Sequence, residues 1–114
     1  DAAIRLAKLL PLATRTHEDG TDYPIDYKVS TSWGLIYSKG QHTGSHTHWP
    51  DIWSWTYCVK ASKDCSPLVF THANHSIKPV VGQMTIFPGW LHHEVPTQTC
   101  DYERIMIAGN LVGL

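Results

Sequence analysis

Two segments fix the kind of fold open to this chain. Trp53–Lys60 (WSWTYCVK) alternates Trp53, Trp55, Tyr57 and Val59 with Ser54, Thr56 and Cys58. Arg104–Leu111 (RIMIAGNL) alternates Arg104, Met106, Ala108 and Asn110 with Ile105, Ile107, Gly109 and Leu111. Neighbouring side chains on a strand point to opposite faces, so a period of two predicts strands. Ser32–Ser38, Leu68–Thr71 and Gln83–Phe87 also read as strands, two of them closed by the turns Lys39-Gly40 and Pro88-Gly89. Many short strands between Gly/Pro turns predict a sandwich or barrel, and a jelly roll manages its strand edges with two sheets. One helix is predicted, over Asp1–Leu10. Asp1 caps it, Ile4, Ala7 and Leu10 share a face, and Pro11 stops it. Pro11–Tyr27 is rich in Thr, Asp, Gly and Pro and reads as loop.

A chain of 114 residues can bury one core. Its 42% hydrophobic and 17% charged content excludes a disordered chain. A net charge of −1 argues against nucleic-acid binding by bulk charge, and no basic cluster suits a membrane surface. No apolar run approaches the ~20 residues of a membrane span, and no signal-peptide pattern is visible. Cys58, Cys65 and Cys100 are odd in number and lack C-x-x-C spacing, which fits neither a zinc motif nor a disulfide framework. A cytoplasmic, reducing location is therefore expected. The chain opens on Asp1, not Met, so further native residues before it are expected.

Eight histidines are a high count for this length, and two of them stand as His46-Thr47-His48. If that segment is extended, residues i and i+2 project to one side and two imidazoles converge, as a metal requires. Imidazole suits iron, zinc, copper and nickel alike. A third histidine follows the Gln83–Phe87 strand and its turn. Of the adjacent His92 and His93 only one can face inward, since neighbours on a strand point oppositely. Arg104 lies on an apolar strand face with Met106, Ala108 and Asn110. Pointing inward it needs an anion, because a buried unpaired charge is costly. At a strand end it would instead pair with Glu103, Glu94 or solvent.

Leu35–His48 (LIYSKGQHTGSHTH) resembles the first ligand segment of prolyl-4-hydroxylase-type 2-oxoglutarate/Fe(II) oxygenases. Tyr37, Gly40-Gln41 and His46 stand where that family has a Tyr, a Gly-Gln turn and the first ligand. Lys78–Phe87 is similar to the family's P-x-x-G strand ending in Phe. His46–Tyr57 and Phe87–Val95 look closer still to small bacterial and phage members of the family. The resemblance runs from Trp33 to Asn110. It implies a double-stranded β-helix, with Fe(II) and 2-oxoglutarate as cofactors and O2 as co-substrate. In that reading His93 is the distal metal ligand, Arg104 grips the far carboxylate of 2-oxoglutarate, and Tyr37 hydrogen-bonds the cofactor.

The family's carboxylate ligand is missing, since its position holds His48. The expected metal set is therefore His46, His48 and His93. Asp51 supplying a carboxylate, or His48 standing beside an open metal position, remain the alternatives. Trp49 is the candidate for a substrate pocket because it abuts His48. Trp53, Trp55 and Trp90 are weaker candidates. Asn110 shares a face with Arg104 and could stand behind the ligands. His72 and His75 are expected in a solvated loop, and His17 and His42 carry no supporting pattern.

The fold expected is all-β: a double-stranded β-helix, jelly-roll and cupin-like, with a short N-terminal α-helix. A single domain is expected over 1–114, with 1–28 as helix and loop packed outside a barrel of 29–114. The expected function is hydroxylation of a substrate the sequence does not identify, with a small molecule, a protein side chain and a nucleobase all open, and a homodimer is left open. Gly44–His48 and Gly82…Pro88…His93 also resemble the two cupin motifs, although the first lacks its Glu. A cupin-type metal protein without 2-oxoglutarate and a non-enzymatic jelly-roll module are thus the competing readings.

Overall fold

The computed structural model describes residues 2–8, 14–16, 18, 20, 22–24 and 26–113. It begins with helix α1 (Ala2–Lys8), followed by the short strands β1 (Thr14–Thr16) and β2 (Asp22–Pro24). Eight strands follow: β3 (Tyr27–Tyr37), β4 (Thr43–His46), β5 (Trp53–Lys60), β6 (Leu68–Phe70), β7 (His75–Ile77), β8 (Met84–Pro88), β9 (His93–Val95) and β10 (Arg104–Gly113). They form two four-stranded sheets, in the orders β3-β10-β5-β8 and β4-β9-β6-β7, with antiparallel pairing throughout. Strands distant in sequence thus become neighbours, the arrangement of a jelly roll.

The alternation on β5 and β10 decides what lies on each side of the larger sheet. Trp55 pairs with Gly109 and Trp53 with Leu111, all on the outer face. The Trp55 ring lies so close over Gly109 that a Cβ there would meet it at 2.5 Å, so a side chain at this position would have to displace the indole. Helix α1 covers this face. Ala3 and Ala7, four residues apart, are fully buried against Tyr27, Trp53, Trp55 and Leu111. The helical stripe expected through Ile4 and Ala7 is thus shifted. Only methyl-sized side chains fit over the indoles, and Ile4 is partly buried at the margin. Between the two sheets a second cluster forms from Tyr37, Leu68, Phe70, Phe87 and Val95. The Asp1 cap, Leu10, the stop at Pro11 and His17 lie outside the described residues.

Two expectations about elements are corrected. Pro11–Tyr27 is not all loop, because β1 and β2 pair there as an antiparallel hairpin. Three-residue strands are too short to display a period. His75 opens β7 and does not lie in the preceding loop, although it is exposed as expected.

Two tight turns meet at one rim of the barrel. Turn 48–51 closes through Asp51 N–H donating to His48 O at 2.9 Å. Turn 88–91 closes through Leu91 N–H donating to Pro88 O at 3.1 Å. Gly89 joins them: its N–H donates to Ile52 O at 2.9 Å and its carbonyl accepts from His48 N–H at 2.8 Å. A Cβ at Gly89 would stand 1.9 Å from the Asp51 carbonyl oxygen. Backbone cannot swing aside as a side chain can, so Gly89→Ala should force the turns apart. We expect a loss of about 3 kcal/mol or more, at the upper end of overpacking costs. A urea midpoint within error of the wild type would refute this.

Candidate metal centre

His46 closes β4 and faces His93, which opens β9, in the cross-strand register. His48 follows two residues past His46, where the chain leaves the sheet for turn 48–51. The three ring centroids are 4.2 to 4.8 Å apart, and one nitrogen from each ring lies within 4.8 Å of the others. Asp51 is not part of this cluster. His92 faces the other way, its ring 4.2 Å from that of His72.

Hydrogen bonds set the tautomers. His46 Nδ1–H donates to Gly44 O at 2.8 Å, and His93 Nδ1–H donates to Leu91 O at 3.0 Å. Each ring is left with a bare Nε2 lone pair, the state that binds a metal. His48 Nε2 lies 3.0 Å from His93 Nε2 and, without a metal, donates its proton there. Its Nδ1 then accepts from Asn110 Nδ2–H at 3.5 Å. The same Asn110 donates to Thr31 Oγ1 at 3.1 Å and accepts from Ser54 Oγ at 2.8 Å. The donor set fits a transition metal: two imidazoles ~2.1 Å from one ion and at right angles have nitrogens about 3 Å apart.

Burial above all, with the neighbouring His46 and His48, holds the His93 pKa down to about 4, against the opposing influence of its bond to Leu91 O. His48 is lowered by the same burial and by His46, against the raising influence of Asp51. Unfolded histidine titrates near ~6.5. Between that value and about 4 the unfolded chain binds a proton that His93 in the fold refuses. Stability of the metal-free protein should therefore be full above pH ~6.5 and fall as the pH drops towards 4, by up to about 1.4 kcal/mol per pH unit for each such histidine. Urea midpoints of metal-free protein at several pH values test this, and a flat profile across that window would contradict it.

Arg104 opens β10 opposite Tyr37 of β3. Its side chain is 2% exposed, and Nε has no hydrogen-bond partner. The guanidinium carbon sits 5.0 Å above the Tyr37 ring. Among the described residues no carboxylate is within ion-pair distance of Arg104. The nearby Glu103 pairs instead with Lys60 at 3.8 Å. Burial lowers the Arg104 pKa, although Tyr37 and Cys58 oppose the shift. The Tyr37 hydroxyl is bonded to Thr43 Oγ1 on β4. One cavity is lined by His46, His48 and His93 and also by Arg104, Tyr37 and Thr43.

The tryptophans divide differently from the sequence expectation. Trp49 is 73% exposed, and Trp90 58% exposed. Neither lines the cavity, because each occupies a turn at the rim and points to solvent. Trp53 and Trp55 belong mainly to the core beneath α1. The indole beside the histidines is Trp33 on β3, 5.6 Å from the His48 ring. A signal for it existed: Trp33 has the same strand parity as Tyr37.

The fold and site define a jelly-roll protein whose three histidines can hold a metal ion. No protein-family model matches the chain, and no curated protein matches it. Several solved structures share its fold. One is an oxidoreductase of the 2OG-Fe(II) oxygenase family from Burkholderia pseudomallei, with TM-score 0.69 and 16% identity over 77% of this chain and 46% of that one. Another is the viral collagen prolyl hydroxylase of Paramecium bursaria Chlorella virus-1, with TM-score 0.63 and 16% identity over 75% of this chain and 59% of that one. A third is a cupin domain from Bordetella pertussis, with TM-score 0.53 and 14% identity over 76% of this chain and 92% of that one. The match thus spans about half the length of each oxygenase and most of the cupin. Among the described residues, no helix is long and apolar enough to cross a membrane.

Proposed function

We propose that this chain is an Fe(II)- and 2-oxoglutarate-dependent oxygenase that hydroxylates a C–H bond of a small molecule or an accessible side chain. The observation that carries this reading is one cavity lined both by three imidazoles able to hold a metal and by a buried arginine without a carboxylate partner among the described residues. His46, His48 and His93 would hold the iron through Nε2. Bound together, iron and 2-oxoglutarate would supply the oxidation: O2 and the cofactor are consumed, succinate and CO2 leave, and one oxygen atom enters the substrate. Arg104 would take the far carboxylate of the cofactor in a charge-assisted, two-pronged hydrogen bond. The Tyr37 ring beneath the guanidinium fixes its plane, and Thr43 fixes Tyr37.

Metal binding at His48 Nε2 requires the proton to move to Nδ1. Asn110 then has to turn its amide so that Oδ1 faces that proton. Ser54 and Thr31 can follow, because a hydroxyl both donates and accepts.

A second reading has an observation of its own. The Bordetella cupin is matched over 92% of its length, so this compact architecture suffices for a cupin-type metal protein. Anaerobic titration of the Fe(II) protein, prepared without a histidine tag, with 2-oxoglutarate separates the two. The oxygenase reading expects a visible charge-transfer band and saturation. Iron binding with no response to 2-oxoglutarate would favour the cupin, and no iron binding would favour a non-enzymatic module.

A further inference from the structure

Cys65 lies between β5 and β6, and Cys100 lies between β9 and β10, 35 positions further on. Neither takes part in the centre described above. Their sulfurs are 3.8 Å apart, with the Cys100 thiol donating to Cys65 Sγ. The same Sγ accepts from Ser62 N–H at 3.3 Å, from Ser62 Oγ at 3.6 Å and from Gln98 Nε2 at 3.6 Å. Cys65 is buried, and Cys100 stands above it, partly exposed. Gln98 braces both connections: Oε1 accepts from Ser66 N–H at 3.0 Å, and Nε2 donates to Tyr102 O at 2.7 Å.

We propose that Cys65 and Cys100 form a thiol–disulfide exchange site, oxidised to an intramolecular disulfide by small-molecule disulfides. Cys100 is the sulfur such a reagent meets first. Its thiolate attacks one sulfur of RSSR, the S–S bond breaks, and one RS⁻ leaves and takes up the proton that Cys100 gave away. Cys65 then attacks the Cys100 sulfur of the mixed disulfide. The second RS⁻ leaves with the Cys65 proton. Two protein thiols and one RSSR become one protein disulfide and two RSH, with two electrons passed to the reagent.

The surroundings of Cys65 suit the second step. Burial alone would raise its thiol pKa, but the hydrogen bonds from Ser62, Cys100 and Gln98 together bring it below the usual value. A thiolate is the attacking species in exchange. A disulfide is ~2.05 Å long, so the sulfurs must close by less than about 2 Å. Cys58, the remaining thiol, is buried on β5 and raised chiefly by that burial, so it is the internal control.

The test treats the full chain with oxidised glutathione, quenches with acid, alkylates under denaturing conditions and maps the peptides. Wild-type protein should become two hydrogens lighter and lose two of its three alkylatable thiols, with Cys65 and Cys100 in one cross-linked peptide. Cys58→Ala should form the same cross-link. Cys65→Ser should instead retain glutathione on Cys100, because the resolving sulfur is gone. Three free thiols after treatment would overturn the proposal. So would glutathione persisting on Cys100 of the wild type, or a cross-link through Cys58.

Discussion

His93→Ala should cost more than about a hundredfold in Fe(II) affinity, since even groups that only orient a ligand are worth 10–100-fold. The reason is geometric. His93 is the cross-strand partner of His46 and supplies the Nε2 that lies 3.0 Å from His48 Nε2, so its loss leaves two donors on one strand-and-turn segment. Its neighbour is the control. His92 turns outward to His72, and His92→Ala should leave iron affinity within about twofold, as expected for a side chain that touches no ligand atom. Asp51→Ala completes the set, because Asp51 is not part of the donor cluster. Anaerobic titration of metal-free protein with Fe(II) or Co(II) reads all three. A large loss in Asp51→Ala with His48→Ala silent would replace the three-histidine centre by two histidines and a carboxylate.

The contrast between His92 and His93 shows what local sequence can carry. The family resemblance assigns the inward place to His93, and strand alternation says that only one of the two can take it. The same reasoning put Arg104 on the inner face with Met106, Ala108 and Asn110, and the observed burial follows that alternation. It also placed Trp53 and Trp55 on the opposite face from Ser54. Where the period ends, so does the inference. Trp49 sits one residue beyond His48 in a turn, and turns have no alternation to read, so its side chain was free to point outward. Trp33 was overlooked for another reason. Its closeness to His48 depends on β3 lying beside β10, a pairing between residues about 75 positions apart such as Trp33 and Ala108. The encounter of Cys65 with Cys100 has the same origin, since both connections are brought together only by the order of the two sheets. Ala3 and Ala7 carry little sequence signal because alanine favours helices everywhere. Their value appears only against the indoles they touch.

Three histidines able to hold a metal suit the oxygenase and the cupin reading alike, so they do not separate the two. Arg104 does. A guanidinium that is 2% exposed, with Nε unsatisfied and no carboxylate partner among the described residues, is a poor choice for stability. Arg104→Leu should therefore leave the metal-free fold at least as stable as the wild type, an outcome opposite to that expected of a structural ion pair. A charge-assisted, bidentate bond is worth about 1.5–3 kcal/mol, so the same change should weaken 2-oxoglutarate binding roughly ten- to a hundredfold. Iron affinity should stay within about twofold, since Arg104 is not a metal ligand. Arg104→Lys should fall between the two, keeping the charge but not the fork. These effects are separable in one series: urea midpoints for stability, Fe(II) titration for the metal, and the charge-transfer band for the cofactor. If Arg104→Leu unfolds the chain while Arg104→Lys binds 2-oxoglutarate normally, Arg104 is a structural cation. The cupin reading would then account for the site better than the oxygenase.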